Sequence, residues 1–265
     1  MTDTSPVAVV VSTDDRGVAR VTMARPEIHN AFDDKLIAEL TRIFRALDAD
    51  PAVRVVVLAA EGKSFSAGAD LNWMRRMAGY GREENLADAG QLGAMVRALN
   101  DLSKPTVALV QGAAYGGGVG LVAACDIVIA TPRAKFALTE VKLGIIPAVI
   151  SPYVINAIGL RWARRLFVTA EAIDADRARE IGLIHEVVAA EELEATGERL
   201  VQLMLANGPE AMAAAKDLAF AVAGRPIDDA LVADTAARIA DRRASDEGRE
   251  GLTAFLEKRT PSWRG

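Results

Sequence analysis

Two glycine-rich loops follow two apolar, strand-like segments at equivalent places in the sequence. Residues 66–70 (SAGAD) come after the apolar segment 53–59, and residues 112–118 (GAAYGGG) come after 107–110. Small residues let a ligand approach the backbone, and the free N–H groups of a helix's first turn point outward at the positive end of the helix dipole. Two such N–H groups can converge on one ligand oxygen. The alternative is that these glycines only permit tight packing.

A single carboxylate stands in the apolar segment ALTEVKLGIIP, at Glu140. Apolar surroundings disfavour a charge and raise the pKa of a carboxyl group, so this side chain could exchange protons near neutral pH. The alternative is an exposed glutamate paired with Lys142, the usual fate of a charged residue in a loop.

The elements that must position these residues alternate between strands and helices in the first half of the chain. Periodicity predicts a helix from Asp33 that stops at 50–51, helical sequence around 73–77, a longer helix that ends near 102, and another helix that opens at Gly116. The predicted strands are 7–11, 18–23, 53–59, 107–110 and 127–130.

The second half is predicted to be almost entirely helical from Ser151 to about Phe255, apart from residues 184–188. Helix breaks are expected at Gly182 and at the two glycine- and proline-containing turns 207–209 and 224–226. An α/β core therefore precedes a helical C-terminal region, without an internal repeat.

Composition excludes several classes of function. The chain has 265 residues, about half of them hydrophobic and a quarter charged, which suits a globular protein with a sizeable core. A net charge of −5 and the absence of a basic stripe argue against nucleic acid as a partner. Cys125 is the only cysteine, so no internal disulfide can form, and no metal-ligand spacing surrounds it. No cofactor or metal is predicted.

The sequence favours a cytoplasmic protein that does not cross a membrane. The N-terminus lacks the basic region that precedes the apolar core of a signal peptide. No charged residue occurs from 105 to 125, but this stretch contains a proline and five glycines. A strand, a tight loop and a buried helix suit it better than a lipid-facing helix.

The sequence argues against a dinucleotide-binding site. Residues 118–123 fit the loose pattern G-x-G-x-x-A. The glycines do not come straight off a strand, however, and no acidic residue ends a following strand about 20 residues later.

Four ordered motifs, FSAGADL, VQGAAYGGGVGLVAACDIVIA, AKFALTEVKLGIIP and FLEKRTPSW, resemble the crotonase (enoyl-CoA hydratase/isomerase) superfamily across nearly the whole chain. The resemblance implies a spiral of ββα turns over residues 1–200. It also implies a helical C-terminal region, 201–265, that assembles the chain as a homotrimer or a dimer of trimers. The expected ligand is an acyl-CoA thioester, with coenzyme A as part of the substrate.

The same resemblance assigns roles to individual residues. The backbone N–H groups of Ala69 and Gly117 would hold the thioester oxygen as it becomes an enolate, and Glu140 would carry the proton. Glycine suits position 117 because the backbone must approach the ligand closely. The remaining residues implied to bind substrate are Arg25 and Ala31 along the pantetheine and nucleotide, Ala67, Asp70, Leu71, Asn72 and Tyr115 near the thioester, and Lys258 at the nucleotide.

One departure bears on the reaction. Family hydratases commonly carry a second glutamate at the position matched here by Gly120. The protein must therefore use Glu140 alone, recruit another group, or catalyse a one-base reaction such as moving a double bond from position 3 to position 2. The candidate substitutes are Asp70, Tyr115 and Tyr153, with His29 and His185 less favoured.

Bacterial branched-chain hydratases that act on methylglutaconyl-CoA and related isoprenoid glutaconyl-CoA thioesters resemble this sequence in more detail. The shared features include LNWMRRMAGYGREENLADA and the missing second glutamate. A glutaconyl substrate brings its own carboxylate, which could dock on Arg75, Arg76 or Lys142; alternatively Arg75 and Arg76 belong to a solvated helix face. We therefore expect a hydro-lyase that acts on 2-enoyl-CoA in fatty acid metabolism or branched-chain catabolism. The alternatives are an enoyl-CoA isomerase and a non-catalytic scaffold that binds CoA or RNA.

Overall fold

The computed structural model of the protein describes residues 8–264, in which ten strands and ten α-helices alternate with short 3-10 turns. The strands are β1 Val9–Thr13, β2 Val18–Met23, β3 Val55–Ala60, β4 Ser64–Ser66, β5 Thr106–Val110, β6 Ala113–Tyr115, β7 Ile127–Ala130, β8 Lys135–Ala137, β9 Ile173–Asp174 and β10 Glu186–Val187. The helices are α1 Asp34–Ala49, α2 Leu71–Met77, α3 Arg82–Asn100, α4 Gly117–Ala124, α5 Ser151–Thr169, α6 Ala175–Glu180, α7 Leu193–Leu205, α8 Pro209–Val222, α9 Asp229–Ala244 and α10 Asp246–Glu257.

The strands form two sheets that are wound together. The larger sheet has the order β1-β2-β3-β5-β7-β10 and is parallel except for the β1–β2 hairpin. The smaller sheet has the order β4-β6-β8-β9, and its first three strands are parallel. Three successive turns, which begin at β3, β5 and β7, each contribute one strand to the larger sheet, the next to the smaller sheet, and then a helical segment. This repeated ββα turn confirms the expected α/β spiral.

Both faces of the larger sheet are covered. One face packs on α1, α3 and α4 in a cluster that includes Phe44, Leu58 and Met95. The other face packs on α7 through a second cluster, in which Val57 and Leu109 lie with Val201. Burial on both faces explains why β3 and β5 are continuous runs of apolar residues.

Helix α1 shows how local sequence fixes an element's bounds. The Asp33 carboxylate accepts a hydrogen bond from the N–H of Leu36 at 2.8 Å and caps the first turn. The apolar residues that recur at helical spacing are all buried, and the chain leaves the helix at Asp50, before Pro51.

The smaller sheet is the main feature that periodicity does not predict. Strands β4, β6 and β8 have three residues each, too few for an alternating pattern to register. The prediction of an almost entirely helical stretch after Ser151 is wrong at β9, and within the non-helical segment 184–188 two residues form β10. The first predicted strand lies partly outside the described residues, which begin at residue 8.

The C-terminal helices follow the predicted breaks, with an additional break at Ser245 between α9 and α10. Helix α7 runs through residue 201, and its buried residues pack on the larger sheet. None of the described helices is long and apolar enough to cross a membrane. The uncharged stretch 105–125 forms β5, β6 and α4.

Candidate active site

Three adjacent parallel strands bring the predicted catalytic residues to one edge of the smaller sheet. Ser66 of β4 pairs with Ala114 of β6, and Tyr115 of β6 pairs with Ala137 of β8. Ligand sites of open α/β sheets lie at the carboxyl ends of such strands. Ala69 follows β4, Gly117 follows β6 and Glu140 follows β8, so the site is assembled from equivalent points on three successive turns of the spiral.

The backbone at Ala69 is held on both sides by Phe32. The Phe32 N–H donates to the carbonyl of Gly68 at 2.7 Å, and the Asp70 N–H donates to the carbonyl of Phe32 at 2.8 Å. The Ala69 N–H between them has no hydrogen-bond acceptor among the described residues. Gly68 reaches this conformation with φ +88°, and a β-carbon there would lie 3.2 Å from the Tyr115 carbonyl oxygen. The two glycine-rich loops are therefore in contact.

The second loop presents another free N–H. Gly116 donates to the carbonyl of Ala137 at 2.9 Å, which ties the loop to β8. Gly117 is the first residue of α4, and its N–H has no acceptor within the part of the chain that the structure describes. A β-carbon on Gly117 would lie 3.2 Å from Cδ2 and Cε2 of Phe32. A side chain at position 117 would thus press on the aromatic ring of Phe32.

Glu140 opens the 3-10 helix Glu140–Leu143, and its carboxylate lies against the second loop. A β-carbon on Gly116, which has φ +50°, would lie 3.2 Å from Glu140 Oε1. Gly116 is therefore the residue whose bare backbone admits the carboxylate, a role that the glycine run alone did not reveal.

The surroundings of Glu140 suit a proton carrier. Its Oε2 is buried without a hydrogen-bond partner, and the carboxylate forms no ion pair with Lys142. Burial raises the pKa of Glu140 above its ordinary value, because no nearby cation compensates for lost hydration. Buried polar atoms are normally satisfied, so an orphaned oxygen indicates a partner supplied by ligand or water.

Position 120 cannot carry a second carboxylate in this backbone. A β-carbon on Gly120 would lie 3.0 Å from Cβ of Ile150 and still closer to its Cγ2. Ile150 is buried and immediately precedes α5, so its side chain fills the space that a longer residue on α4 would need. The space that a second glutamate would need is thus filled by the Ile150 side chain.

The candidate substitute acids have other contacts. The Asp70 carboxylate accepts from the N–H groups of Asn72 at 2.8 Å and Trp73 at 3.0 Å, and caps α2. Tyr115 ends β6 beside the site and is half-buried. The pKa of Tyr153 is raised by burial and by the negative charge of Asp101.

The two histidines have structural contacts. His29 Nδ1 lies 3.1 Å from the Ser64 hydroxyl. His185 Nδ1 accepts from the Val128 N–H at 3.0 Å, which extends the edge of the larger sheet.

Some of the residues expected along coenzyme A are exposed, and others are buried in contacts within the protein. Ala67, Leu71, Asn72 and Lys258 are exposed. The Arg25 guanidinium, by contrast, is largely buried, pairs with Asp33 at 2.6 Å and donates to the carbonyl of Ala31. Arg25 and the buried Ala31 therefore shape the loop before α1, and Arg25 does not present a free charge to a phosphate.

Three cations were predicted to be able to meet a substrate carboxylate. Arg75 donates to the Asn72 side chain at 2.7 Å, and Arg76 pairs with Asp34. Lys142 is exposed and forms no salt bridge with a described residue. No three metal-ligating side chains cluster within residues 8–264.

The spiral thus brings two free backbone N–H groups and a buried carboxylate to one site. Comparison with known proteins identifies the family. Residues 13–265 match the enoyl-CoA hydratase/isomerase family. The crystal structure of an enoyl-CoA hydratase from Shewanella pealeana superposes with a TM-score of 0.95 at 44% identity, covering 98% of this chain and 97% of that one.

Two relatives match over nearly the whole chain. The short-chain-enoyl-CoA hydratase of Clostridium acetobutylicum is 34% identical over 91% of this chain and 92% of its own length. The 2,3-dehydroadipyl-CoA hydratase of Escherichia coli is 32% identical over 97% of this chain and 98% of its own length. The chain belongs to the enoyl-CoA hydratase/isomerase family and is an enzyme of that class.

Proposed function

We propose that the protein adds water to a 2-enoyl-CoA, and that its preferred substrate is a branched glutaconyl-CoA such as 3-methylglutaconyl-CoA. The observation that carries the hydratase proposal is the juxtaposition of the two free N–H groups of Ala69 and Gly117 with the buried carboxylate of Glu140. As water attacks carbon 3, negative charge develops on the thioester oxygen, where two N–H donors stabilise it.

Glu140 supplies both proton transfers in this scheme. Its carboxylate takes a proton from water as the C3–O bond forms, and the resulting acid returns a proton to carbon 2 of the enolate. A raised pKa brings the acid and carboxylate forms closer in energy near neutral pH, which favours such a relay. Ile150 prevents a second carboxylate at position 120, so one group serves twice.

The exposed Lys142 supports the proposal that the acyl chain of the substrate carries a carboxylate. This lysine lies two residues after Glu140 in the same short helix and has no counter-ion among the described residues, whereas Arg76 pairs with Asp34. Arg75 also lacks a counter-ion, but it donates to the Asn72 side chain. The Escherichia coli relative is named for a dicarboxylic acyl group. We assign Lys142 as the cation that recognises the substrate's distal carboxylate.

A substrate panel tests this proposal. We expect kcat/KM for hydration to be higher with 3-methylglutaconyl-CoA than with crotonyl-CoA, because only the former offers a distal carboxylate. Lys142→Met should raise KM for 3-methylglutaconyl-CoA about tenfold, in keeping with ~1.4 kcal/mol for a lost charge-assisted contact. Its kinetics with crotonyl-CoA should stay within about twofold of the unaltered enzyme.

Equal or faster hydration of crotonyl-CoA would contradict the branched assignment. The matched control is Lys63→Met, which removes an exposed lysine from the loop before β4 and should affect neither substrate. The single carboxylate also favours an isomerase, in which Glu140 removes a proton from carbon 2 and returns it to carbon 4. Double-bond migration of a 3-enoyl-CoA without hydration would establish that alternative.

We further propose that the protein assembles as a homotrimer or a dimer of trimers through its C-terminal region. Ile227 is 90% exposed, Phe255 81% and Leu256 77%. Ile239 and Leu252 add further exposed apolar surface on α9 and α10. Large apolar side chains exposed on neighbouring elements of this kind favour an interaction surface.

Sedimentation equilibrium should give a mass three or six times the chain mass of 28.1 kDa. Phe255→Asp should lower the apparent mass, since a charge buried at an interface destabilises it. A monomer at micromolar concentration would rule out the assembly.

A further inference from the structure

We infer that Phe32 is a positioning residue that sets the spacing of the two oxyanion-binding N–H groups. The inference rests on the proposed role of Ala69 and Gly117, and extends it to a residue outside both glycine-rich loops. Phe32 lies just before α1, about 35 residues from Ala69 and 85 from Gly117 in the sequence.

The backbone of Phe32 fixes the first donor. Its N–H and carbonyl bond to Gly68 and Asp70 at 2.7 and 2.8 Å, which forms an isolated parallel bridge centred on Ala69. Both neighbours of Ala69 are thus held while its own N–H stays free. This arrangement determines the direction in which that N–H points.

The ring of Phe32 fixes the second donor. A β-carbon on Gly117 would be only 3.2 Å from ring atoms Cδ2 and Cε2. The first turn of α4 therefore packs closely against this side of the ring. Phe32 is only 1% exposed, and the surrounding core prevents the ring from moving away. Interiors are close-packed, so a smaller side chain would let the first turn of α4 shift towards the vacated space.

One residue therefore contacts both donors, through its backbone on one side and its ring on the other. A change in ring size should alter the distance between the two N–H groups without removing either. Because a misplacement of about 1 Å can cost about 10²-fold in rate, such a change should affect kcat more than binding.

Phe32→Leu tests the inference, since leucine keeps the backbone hydrogen bonds and the apolar burial but removes the ring. We expect kcat with crotonyl-CoA and 3-methylglutaconyl-CoA to fall about 10–10²-fold, while KM changes by less than about threefold. Phe44→Leu is the matched control, because Phe44 is equally buried but lies on α1, away from the three site loops. It should retain kcat within about twofold at a temperature where both variants are folded.

A second readout reports the oxyanion site directly. The carbonyl stretching band of ¹³C-labelled crotonyl-CoA should shift to lower frequency on the unaltered enzyme, because two N–H donors polarise the carbonyl. In Phe32→Leu the shift should be smaller, and in Phe44→Leu it should be retained.

The outcomes separate the two proposals. If the unaltered enzyme shifts the band and turns over substrate but Phe32→Leu matches Phe44→Leu in both readouts, Phe32 only fills the core and the inference is wrong. If the unaltered enzyme neither shifts the band nor turns over any thioester in the panel, the proposed function itself fails, and the inference fails with it.

Discussion

Replacing Glu140 by glutamine should reduce turnover by about 10²–10⁴-fold while the protein still binds the acyl-CoA. Glutamine keeps the size of the side chain and its ability to form hydrogen bonds at the surface of Gly116, but it cannot accept and return a proton. Steady-state kinetics with 3-methylglutaconyl-CoA and crotonyl-CoA, together with calorimetric titration of the product thioester, separate the rate from the affinity.

The control for this substitution is Glu61→Gln, which removes an exposed carboxylate from the loop after β3 and should leave turnover unchanged. Retention of more than about a tenth of the original turnover, a loss below about 1.4 kcal/mol of barrier, would show that Glu140 is not the central proton carrier. The half-buried Tyr115 beside the site would then be the next residue to replace.

Glu140→Gln should also alter how the stability of the protein depends on pH. Burial raises the pKa of Glu140 in the folded state, so the folded protein holds this proton more tightly than the unfolded chain does. The resulting cost of ionisation is absent below the unfolded-state pKa and develops as pH rises through the folded-state value. Glu140→Gln should therefore be more stable than the unaltered enzyme at neutral pH and equally stable in acid, as measured by thermal unfolding.

The sequence predicts the parts of the site that have local patterns. Two glycine-rich loops after apolar strands and a carboxylate in an apolar segment indicate which parts of the chain could meet, but it is the resemblance to the crotonase superfamily that singles out Ala69, Gly117 and Glu140. The structure places them at the ends of three paired strands. The larger sheet was likewise predictable because its central strands are continuous apolar runs, and the longer helices because their apolar residues recur at helical spacing.

What the sequence does not predict depends on contacts between distant positions. The three-residue strands of the smaller sheet are too short for periodicity, although they align the site. The contacts of the Arg25 guanidinium with Asp33 and the Ala31 carbonyl are one example, and its place along coenzyme A stays a prediction. Ile150 lies 30 residues after Gly120, and nothing in either segment indicates that its side chain occupies the space beside that glycine.

Gly120→Glu, which would introduce a second carboxylate at the position where related hydratases carry one, should destabilise the protein severely. Over-packing of a filled core costs typically ~1–3 kcal/mol, and an unpaired buried carboxylate adds several more. The new side chain would meet Ile150 and, at 3.9 Å from its β-carbon, Cγ2 of Val96. We expect a loss of at least about 4 kcal/mol, a large share of the ~5–15 kcal/mol that stabilises a typical domain.

Smaller substitutions isolate the steric contribution. Gly120→Ala should lower the free energy of unfolding, because the contact with Ile150 outweighs the gain of up to about 1 kcal/mol that alanine brings to a helix. Gly90→Ala is the matched control: Gly90 lies within α3, a β-carbon there would meet nothing within 4 Å, and the same replacement should stabilise the protein. Adding Ile150→Ala to Gly120→Ala should cost less than the sum of the two single changes, since the smaller residue at 150 removes the clash and the methyl group at 120 partly fills the cavity that Ile150→Ala leaves. Denaturant unfolding of the four variants measures this coupling. If Gly120→Ala is as stabilising as Gly90→Ala, Ile150 does not fill position 120, and the single-carboxylate site must have another cause.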